Sequence, residues 1–257
     1  MASQIPFTRG VPSADLLPID ELREAVATAL ADEPAVALSY STGAGHAGLR
    51  AWIGERHGVP AERVVTTNGS LQALLFLGEL LLAPGRTRVL VEAPTYDRAI
   101  LLLRRAGGDV QGIPSDEHGL DVDAVAEDIR RHGPPALLYV IPTFQNPSGT
   151  TLPLERRTQL VELSREHGFT LIEDDPYGLL RWRGEDVPTI LTLGGEDVVS
   201  MSSFTKTVAP GLRIGYAILP PALAKRMTKH ANETYISPSM VSQCGLAAYV
   251  AAGHFEP

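Results

Sequence analysis

The chain has 257 residues, 44% hydrophobic and 20% charged, with 24 glycines and 20 prolines, enough for a sizeable core in one large domain or two small ones. A formal net charge of -8, with no lysine- or arginine-rich run, argues against a nucleic-acid surface. The single cysteine, Cys244, excludes an intrachain disulfide and a zinc cluster and reads as a small buried hydrophobe in a reducing compartment.

The N-terminal Met1-Ala2-Ser3-Gln4-Ile5-Pro6 lacks the basic-then-apolar order of a secretion signal, so a cytoplasmic protein is expected. Residues 1–18, rich in proline and small polar side chains, read as an extended arm. Pro18-Ile19-Asp20 then opens a helix with Leu22, Ala25, Val26 and Leu30 at helical spacing. A Gly/Ser/Thr-rich stretch, residues 40–45, separates it from a second helix over 49–57. Tyr40, beside that stretch, reads equally as a packing aromatic or as a polar-tipped contact.

From Arg63 onward short apolar or β-branched runs alternate with helical patterns. The runs are 64–65, 89–91, 137–141, 170–172, 198–199 and 214–219; the helical patterns include 71–82, 96–105, 122–131 and 154–167. This alternation predicts an α/β domain with a mostly parallel sheet. The apolar run 74–83 contains Glu79 and is too short to cross a bilayer, so no membrane partner is expected. There is no internal repeat and no low-complexity segment.

Several runs end in polar residues, at the carboxyl ends of strands where open α/β sheets place their chemistry. Asn68-Gly69-Ser70 follows the first run and precedes a helix, which makes either a phosphate site on free helix amides or a plain cap by Asn68 or Ser70. Tyr96 ends the next run and either stacks on a planar ring or starts a helix against the core. Asn146, in the turn-rich segment 142–149, is a positioned amide or a turn former. Glu173-Asp174-Asp175 puts three acids at the end of a buried strand; a carboxylate there pairs with a protonated ring nitrogen, or the acids form a solvated loop, a reading that suits Asp175 better than all three.

The stretch Ser203-Phe204-Thr205-Lys206 and the following Arg213 complete the series. A lysine after a buried run needs a partner or a task. Schiff-base formation with a cofactor aldehyde is one such task, with hydroxyls and an arginine holding a phosphate beside it. His46, His57, His118, His132, His167, His230 and His254 show no metal-ligand spacing, and no Gly-x-Ser-x-Gly or Walker-type loop is present.

Taken together, and in this order, these motifs resemble the fold-type I pyridoxal-phosphate-dependent class I/II aminotransferases. The likeness is to the branch with 2-aminoadipate and kynurenine aminotransferases and the aminotransferase-like domains of certain bacterial regulators, and it runs over residues 10–255. It implies pyridoxal 5'-phosphate as cofactor and transfer of an amino group from an amino acid to a 2-oxo acid. Lys206 then matches the lysine that joins the cofactor aldehyde and shuttles the substrate proton. Asp174 matches the partner of the pyridine nitrogen, Tyr177 and Asn146 the holders of the phenolic oxygen, and Tyr96 the stacking aromatic. Gly69, Ser70, Leu71, Ser203, Thr205 and Arg213 resemble the phosphate cup. Tyr40 matches a tyrosine that reaches the neighbouring subunit's site, so a homodimer is expected, with residues 235–239 also near its boundary.

The resemblance divides the chain into an arm and first helix (1–36), a cofactor-binding three-layer large domain (37–245) and the start of a connection (246–257). The small domain that carries the family's carboxylate-binding arginine would follow, and it is not in this sequence. Other chemistries of the same cofactor class, such as lyase, decarboxylase, racemase or oxidase reactions, share these motifs, as would a truncated non-catalytic cofactor-binding protein.

Overall fold

The computed structural model describes residues 10–255. Its strands are β1 (Val64–Thr67), β2 (Arg88–Ala93), β3 (Asp109–Asp116), β4 (Gly119–Leu120), β5 (Leu137–Val140), β6 (Thr170–Asp174), β7 (Val199–Ser203) and β8 (Gly215–Ile218). Its helices are α1 (Ile19–Asp32), α2 (Pro34–Ala37), α3 (Ala47–His57), α4 (Ser70–Leu81), α5 (Asp97–Arg105), α6 (Val122–His132), α7 (Leu154–His167), α8 (Ile190–Gly194), α9 (Pro221–Tyr235) and α10 (Met240–Ala251).

Alternation along the strands decides the layering. Val89 and Val91 of β2, Leu137 and Tyr139 of β5 and Ile172 of β6 join one buried cluster, which α4, α5 and α9 cover with Leu74, Leu77, Leu103 and Met227. The intervening Leu90, Leu138, Val140 and Leu171 join the other, covered by α3, α6, α7, α8 and α10 through residues such as Leu49, Val125, Leu160, Ile190 and Leu246. A period of two sends successive residues to opposite faces, so a sheet apolar on both faces needs helices on both. The result is the expected three layers, with the sheet in the middle.

The strand order is β1-β8-β7-β6-β5-β2-β3-β4. β2 pairs in parallel with β3 and β5, and β5, β6 and β7 continue in parallel. β8 is antiparallel to both β7 and β1, so β1 runs with β7; β4 is antiparallel to β3. The sheet is therefore mixed and mostly parallel. Because β1, β2, β5, β6 and β7 point the same way, Asn68, Pro94, Ile141, Asp174 and Phe204 all emerge at one edge. Gly215, which opens the antiparallel β8, brings Arg213 to that edge from the other direction.

Two expectations need correction. The arm is not extended throughout: Ala14–Leu16 forms a 3-10 turn, while residues 1–9 lie outside the described part. The sequence pattern does not mark 109–120 as strand, yet this segment supplies β3 and β4 at the sheet's edge, where most of β3 is only partly buried and its sequence is correspondingly polar. Helix α10 runs unbroken from Met240 to Ala251 and packs on α1, α2 and α3.

Candidate active site

At one end of the site the backbone itself is the binding group. β1 ends at Thr67, and Gly69, at φ +88°, turns the chain into α4. No side chain caps this helix: Asn68 instead gives its own amide to Gln72 Oε1 at 2.8 Å, and Thr67 Oγ1 donates to the Gly69 carbonyl at 2.9 Å. The plain-cap reading of Asn68 or Ser70 thus fails, and the first amides of α4 are free for an anion.

Two close approaches shape this end. A Cβ on Gly69 would collide with Arg213 Nη2, and one on Gly215 with the Ser70 amide nitrogen. At Gly215 the neighbour is backbone and cannot yield, so glycine is required; at Gly69 it is the positive φ that calls for glycine, and a Cβ would push the Arg213 tip away. Arg213 itself sits at φ +53°, a backbone turn that delivers its side chain to Gly69. Ser203 Oγ accepts from the Thr205 amide at 3.0 Å, which fixes the two hydroxyl residues next to each other.

The other end is built around Asp174 at the close of β6. Its Oδ2 accepts a hydrogen bond from the Tyr139 hydroxyl at 2.6 Å, while its buried Oδ1 has no partner. Burial pushes the carboxyl up to about 7; the Tyr139 hydrogen bond pulls it down and Asp175 pushes it up. Sequence reasoning missed Tyr139. Strand register places it: Tyr139 pairs with Ile172, so it lies on the same face as Asp174, one pleat earlier on the neighbouring strand.

The adjacent acids are not a solvated loop. Glu173, fully buried, accepts from the amides of Ile190 at 2.8 Å and Leu191 at 3.1 Å and so anchors α8. Burial holds it at about 7. Asp175 accepts from the Gly178 amide at 2.8 Å and shapes the turn that carries Tyr177.

Between the two ends lie Tyr96, Asn146, Tyr177 and Lys206. Tyr96 precedes α5 and packs partly on the core, as one of its two readings has it, and it also lines the site. Asn146 hydrogen-bonds the Tyr177 phenol, whose acidity burial and Asp174 together weaken. Lys206 is half-buried, its Nζ 6.0 Å from the centre of the Tyr177 ring and donating to the Gly10 carbonyl. Burial lowers its pKa below the ordinary lysine range.

The loop that presents Asn146 is clamped by residues the sequence did not reveal. Glu92, buried, accepts from the Ile141 amide at 2.9 Å and from Gln145 Nε2 at 3.3 Å. Gln145 Nε2 also donates to the Pro94 carbonyl at 2.8 Å, and its Oε1 accepts from Ser148. From beneath, the fully buried Arg157 donates to the Pro142 carbonyl at 2.8 Å, the Leu152 carbonyl at 2.8 Å and Thr143 Oγ1 at 3.0 Å. A glutamate at the end of a strand and an arginine in a helix carry no sequence pattern that announces these tasks.

These elements enclose a cavity of about 850 Å³. Ser70, Leu71, Tyr96, Asn146, Asp174, Tyr177, Ser203, Thr205, Lys206 and Arg213 all line it. Gly69 stands behind Ser70 against Arg213. Tyr40 is not on its wall; the side chain is 82% exposed on the surface. Gly10, Val11, Thr95, Asp97 and Arg98 also line it and were not foreseen.

Away from this cavity Glu33, His46 and Cys244 gather their ligand-type atoms within 4.8 Å. His46 Nδ1 accepts from the Leu49 amide at 3.1 Å, so the ring's proton is on Nε2, which faces Glu33 at 3.1 Å. Burial and Glu33 push the Cys244 thiol up to about 12. In this arrangement the cluster forms a hydrogen-bond knot at the cap of α3, in which the His46 Nε2–H and the Cys244 thiol face the Glu33 carboxylate.

The sequence profile described as "Aminotransferase class I and II" matches residues 2–256. Among curated relatives, the 2-aminoadipate transaminase of Thermus thermophilus is 36% identical over 243 residues, 93% of this chain and 61% of the relative. Aromatic-amino-acid aminotransferase 1 of Thermococcus litoralis is 33% identical over 263 residues, 98% of this chain and 63% of the relative. The crystal structure of alpha-aminoadipate aminotransferase from Thermus thermophilus, complexed with N-(5'-phosphopyridoxyl)-L-leucine, superposes with a TM-score of 0.90 at 34% identity. That superposition covers 96% of this chain and 64% of the other. The chain thus spans about three fifths of the length of the relatives it matches.

Proposed function

The chain belongs to the class I and II aminotransferase family, and on that premise we propose that it binds pyridoxal 5'-phosphate in the cavity described and moves an amino group from an amino acid to a 2-oxo acid. One observation carries the reading: Asp174, whose Oδ1 is buried and unpaired, lines the same cavity as Lys206 and Arg213. A buried carboxylate oxygen without a donor is costly, and a protonated pyridine nitrogen would satisfy it. The uncapped α4 and the glycine-made approach of Arg213 fit a phosphate in the same way. The donor set therefore suits the cofactor.

When bound, pyridoxal phosphate supplies the reactive aldehyde and the electron sink of the reaction. The residues of this chain supply orientation and proton movement. The amides of Ser70 and Leu71, the hydroxyls of Ser203 and Thr205 and the Arg213 guanidinium hold the phosphate. Asp174 would pair as a carboxylate with the ring nitrogen and favour its protonated form, and Tyr139 holds Asp174 in place. Tyr96 flanks the ring, and Tyr177 with Asn146 hold the phenolic oxygen. Lys206 Nζ would be the amine that meets the aldehyde and the base placed to move the substrate Cα proton. Burial lowers its pKa, which favours the neutral, nucleophilic form of the amine.

A homodimer is part of the proposal, supported by the exposed Tyr40 and by Leu38, 70% exposed. Light scattering that gives a monomer with cofactor bound would remove it. The cytoplasm is the proposed location, since the single cysteine is free and buried. Among the described residues, no helix is long and apolar enough to cross a membrane.

The test is an absorbance spectrum of the protein with added pyridoxal phosphate, before and after an amino donor, with Lys206→Ala alongside. The proposal expects a lysine-dependent band that converts to the pyridoxamine form. No such band in the parent protein defeats the cofactor assignment. A band that persists with every amino acid offered defeats the transfer reaction and leaves binding alone.

A further inference from the structure

Among the described residues, three cations line the cavity: Lys206, Arg213 and Arg98. The first two have tasks in the reading above. Arg98, in the first turn of α5, has none. Its side chain is 62% exposed, and its ion pair is a 3.9 Å approach to Asp97, its own neighbour in sequence, itself 73% exposed. A long contact between two solvated side chains holds neither in place and leaves the guanidinium fork open.

A second feature lies on the same segment. Thr95 is buried and lines the cavity, yet its Oγ1 has no hydrogen-bond partner. Buried hydroxyls are nearly always satisfied, so an orphaned one on a residue that lines a cavity marks a place where a ligand or water can supply the missing partner. The phosphate end of the cavity is built on β1, α4 and the Ser203–Arg213 stretch, whereas Arg98 and Thr95 follow β2.

We propose that Arg98, with the Thr95 hydroxyl on the same segment, forms the subsite that binds a carboxylate of the amino acid or 2-oxo acid. An arginine fork matches a carboxylate with two parallel hydrogen bonds, which an ammonium group cannot reproduce. The inference rests on the cofactor reading for the identity of the substrate, but the subsite itself is a carboxylate site with or without the cofactor. The carboxylate is either the one next to the reacting carbon or a second one at the far end of the substrate.

Calorimetric binding of pyruvate and of 2-oxoglutarate to the parent protein, Arg98→Ala and Arg98→Lys, each with and without pyridoxal phosphate, tests the subsite. Arg98→Ala is expected to weaken 2-oxoglutarate about tenfold, with Arg98→Lys in between and cofactor affinity unchanged. An equal loss for pyruvate assigns the near carboxylate; a loss confined to 2-oxoglutarate assigns the far one. Unchanged affinity for both acids overturns the subsite, as does a parallel fall in cofactor affinity, which would give Arg98 to the phosphate. Binding of neither acid to the parent protein overturns it too. Acid binding that needs Arg98 in a protein that takes up no cofactor would keep the subsite while defeating the proposed function.

Discussion

At the inner end of the cavity Tyr139 grips Asp174 at 2.6 Å and Glu92 and Arg157 grip the loop of Asn146, all of them buried; at the mouth Asp97 and Arg98 face water with a 3.9 Å contact between them. Removing one partner of a buried polar pair leaves the other unsatisfied, at a cost of about 1–3 kcal/mol, whereas an exposed pair contributes about 0–1 kcal/mol. The inner end is therefore preorganised by the fold, and the mouth is left for a ligand to order. If that contrast is right, changes to the buried polar pairs should damage chemistry and stability together, and changes to the exposed pair at the mouth should alter substrate affinity alone.

The largest effect is expected from Lys206→Ala. It should lower the rate of amino transfer by about 10⁴-fold, because a positioned proton-transfer group accounts for a factor of about 10²–10⁴ and the covalent link is lost as well. Its melting temperature should stay close to the parent's, since the side chain is half-buried and burial already disfavours its charged form. A rapid-quench measurement of half-turnover checks the rate. Retained transfer would place the chemistry on another residue.

Asp174→Asn comes next. An amide cannot keep the ring nitrogen protonated, so the transfer rate should fall about 10²–10³-fold while the cofactor still binds through the phosphate end. Gly69→Ala attacks that phosphate end. Its φ of +88° and the close approach of Arg213 Nη2 both resist a Cβ, so cofactor affinity should drop about tenfold, with roughly 1–2 kcal/mol lost in stability. A fluorescence titration with pyridoxal phosphate separates the two variants: Asp174→Asn changes rate more than affinity, and Gly69→Ala the reverse. If both changed only affinity, the division of labour between the ends would be wrong.

Lys206, Asp174, Asn146 and the Gly69 turn were legible in the sequence because each ends or follows an apolar run, and strand ends in an α/β sheet share one edge. Tyr139, Glu92, Gln145 and Arg157 were not, because their roles depend on which strands become neighbours. The order β1-β8-β7-β6-β5-β2 is not the order of the chain, so no spacing along the sequence reports that Tyr139 lies beside Asp174. Helix α10 escaped for a different reason: it is apolar nearly all round, packed by α1, α2 and α3, so a 3.6-residue contrast is absent. β3 is polar because it lies next to the sheet's edge.

The smallest effect, and the one that isolates the inner end, is in stability against pH. Burial holds Asp174, Glu92 and Glu173 at about 7. A carboxyl whose folded pKa is raised takes up a proton on folding between its unfolded value, near 4, and about 7. Its contribution to stability is therefore greatest on the acid side of that window and declines as pH rises to about 7. His57, lowered to about 4 by burial and Arg56, acts in the opposite sense, since the unfolded histidine charges first as pH falls. Asp116 and Glu127, lowered to about 2 by their arginine partners, are exposed and titrate below the window. Because His57 offsets the acids, the parent curve alone decides little, and the comparison must be between proteins. In the cofactor-free state, melting temperature from pH 5 to pH 8 should fall more steeply in the parent than in Asp174→Asn, which keeps every other titrating group. Bound pyridoxal phosphate should flatten the parent toward the variant, because a ring N–H beside Oδ1 lets Asp174 stay ionised through the whole range. Parallel curves for the two proteins without cofactor would mean that Asp174 already has a satisfied charge, and the strongest reason for placing a protonated ring nitrogen against it would be gone.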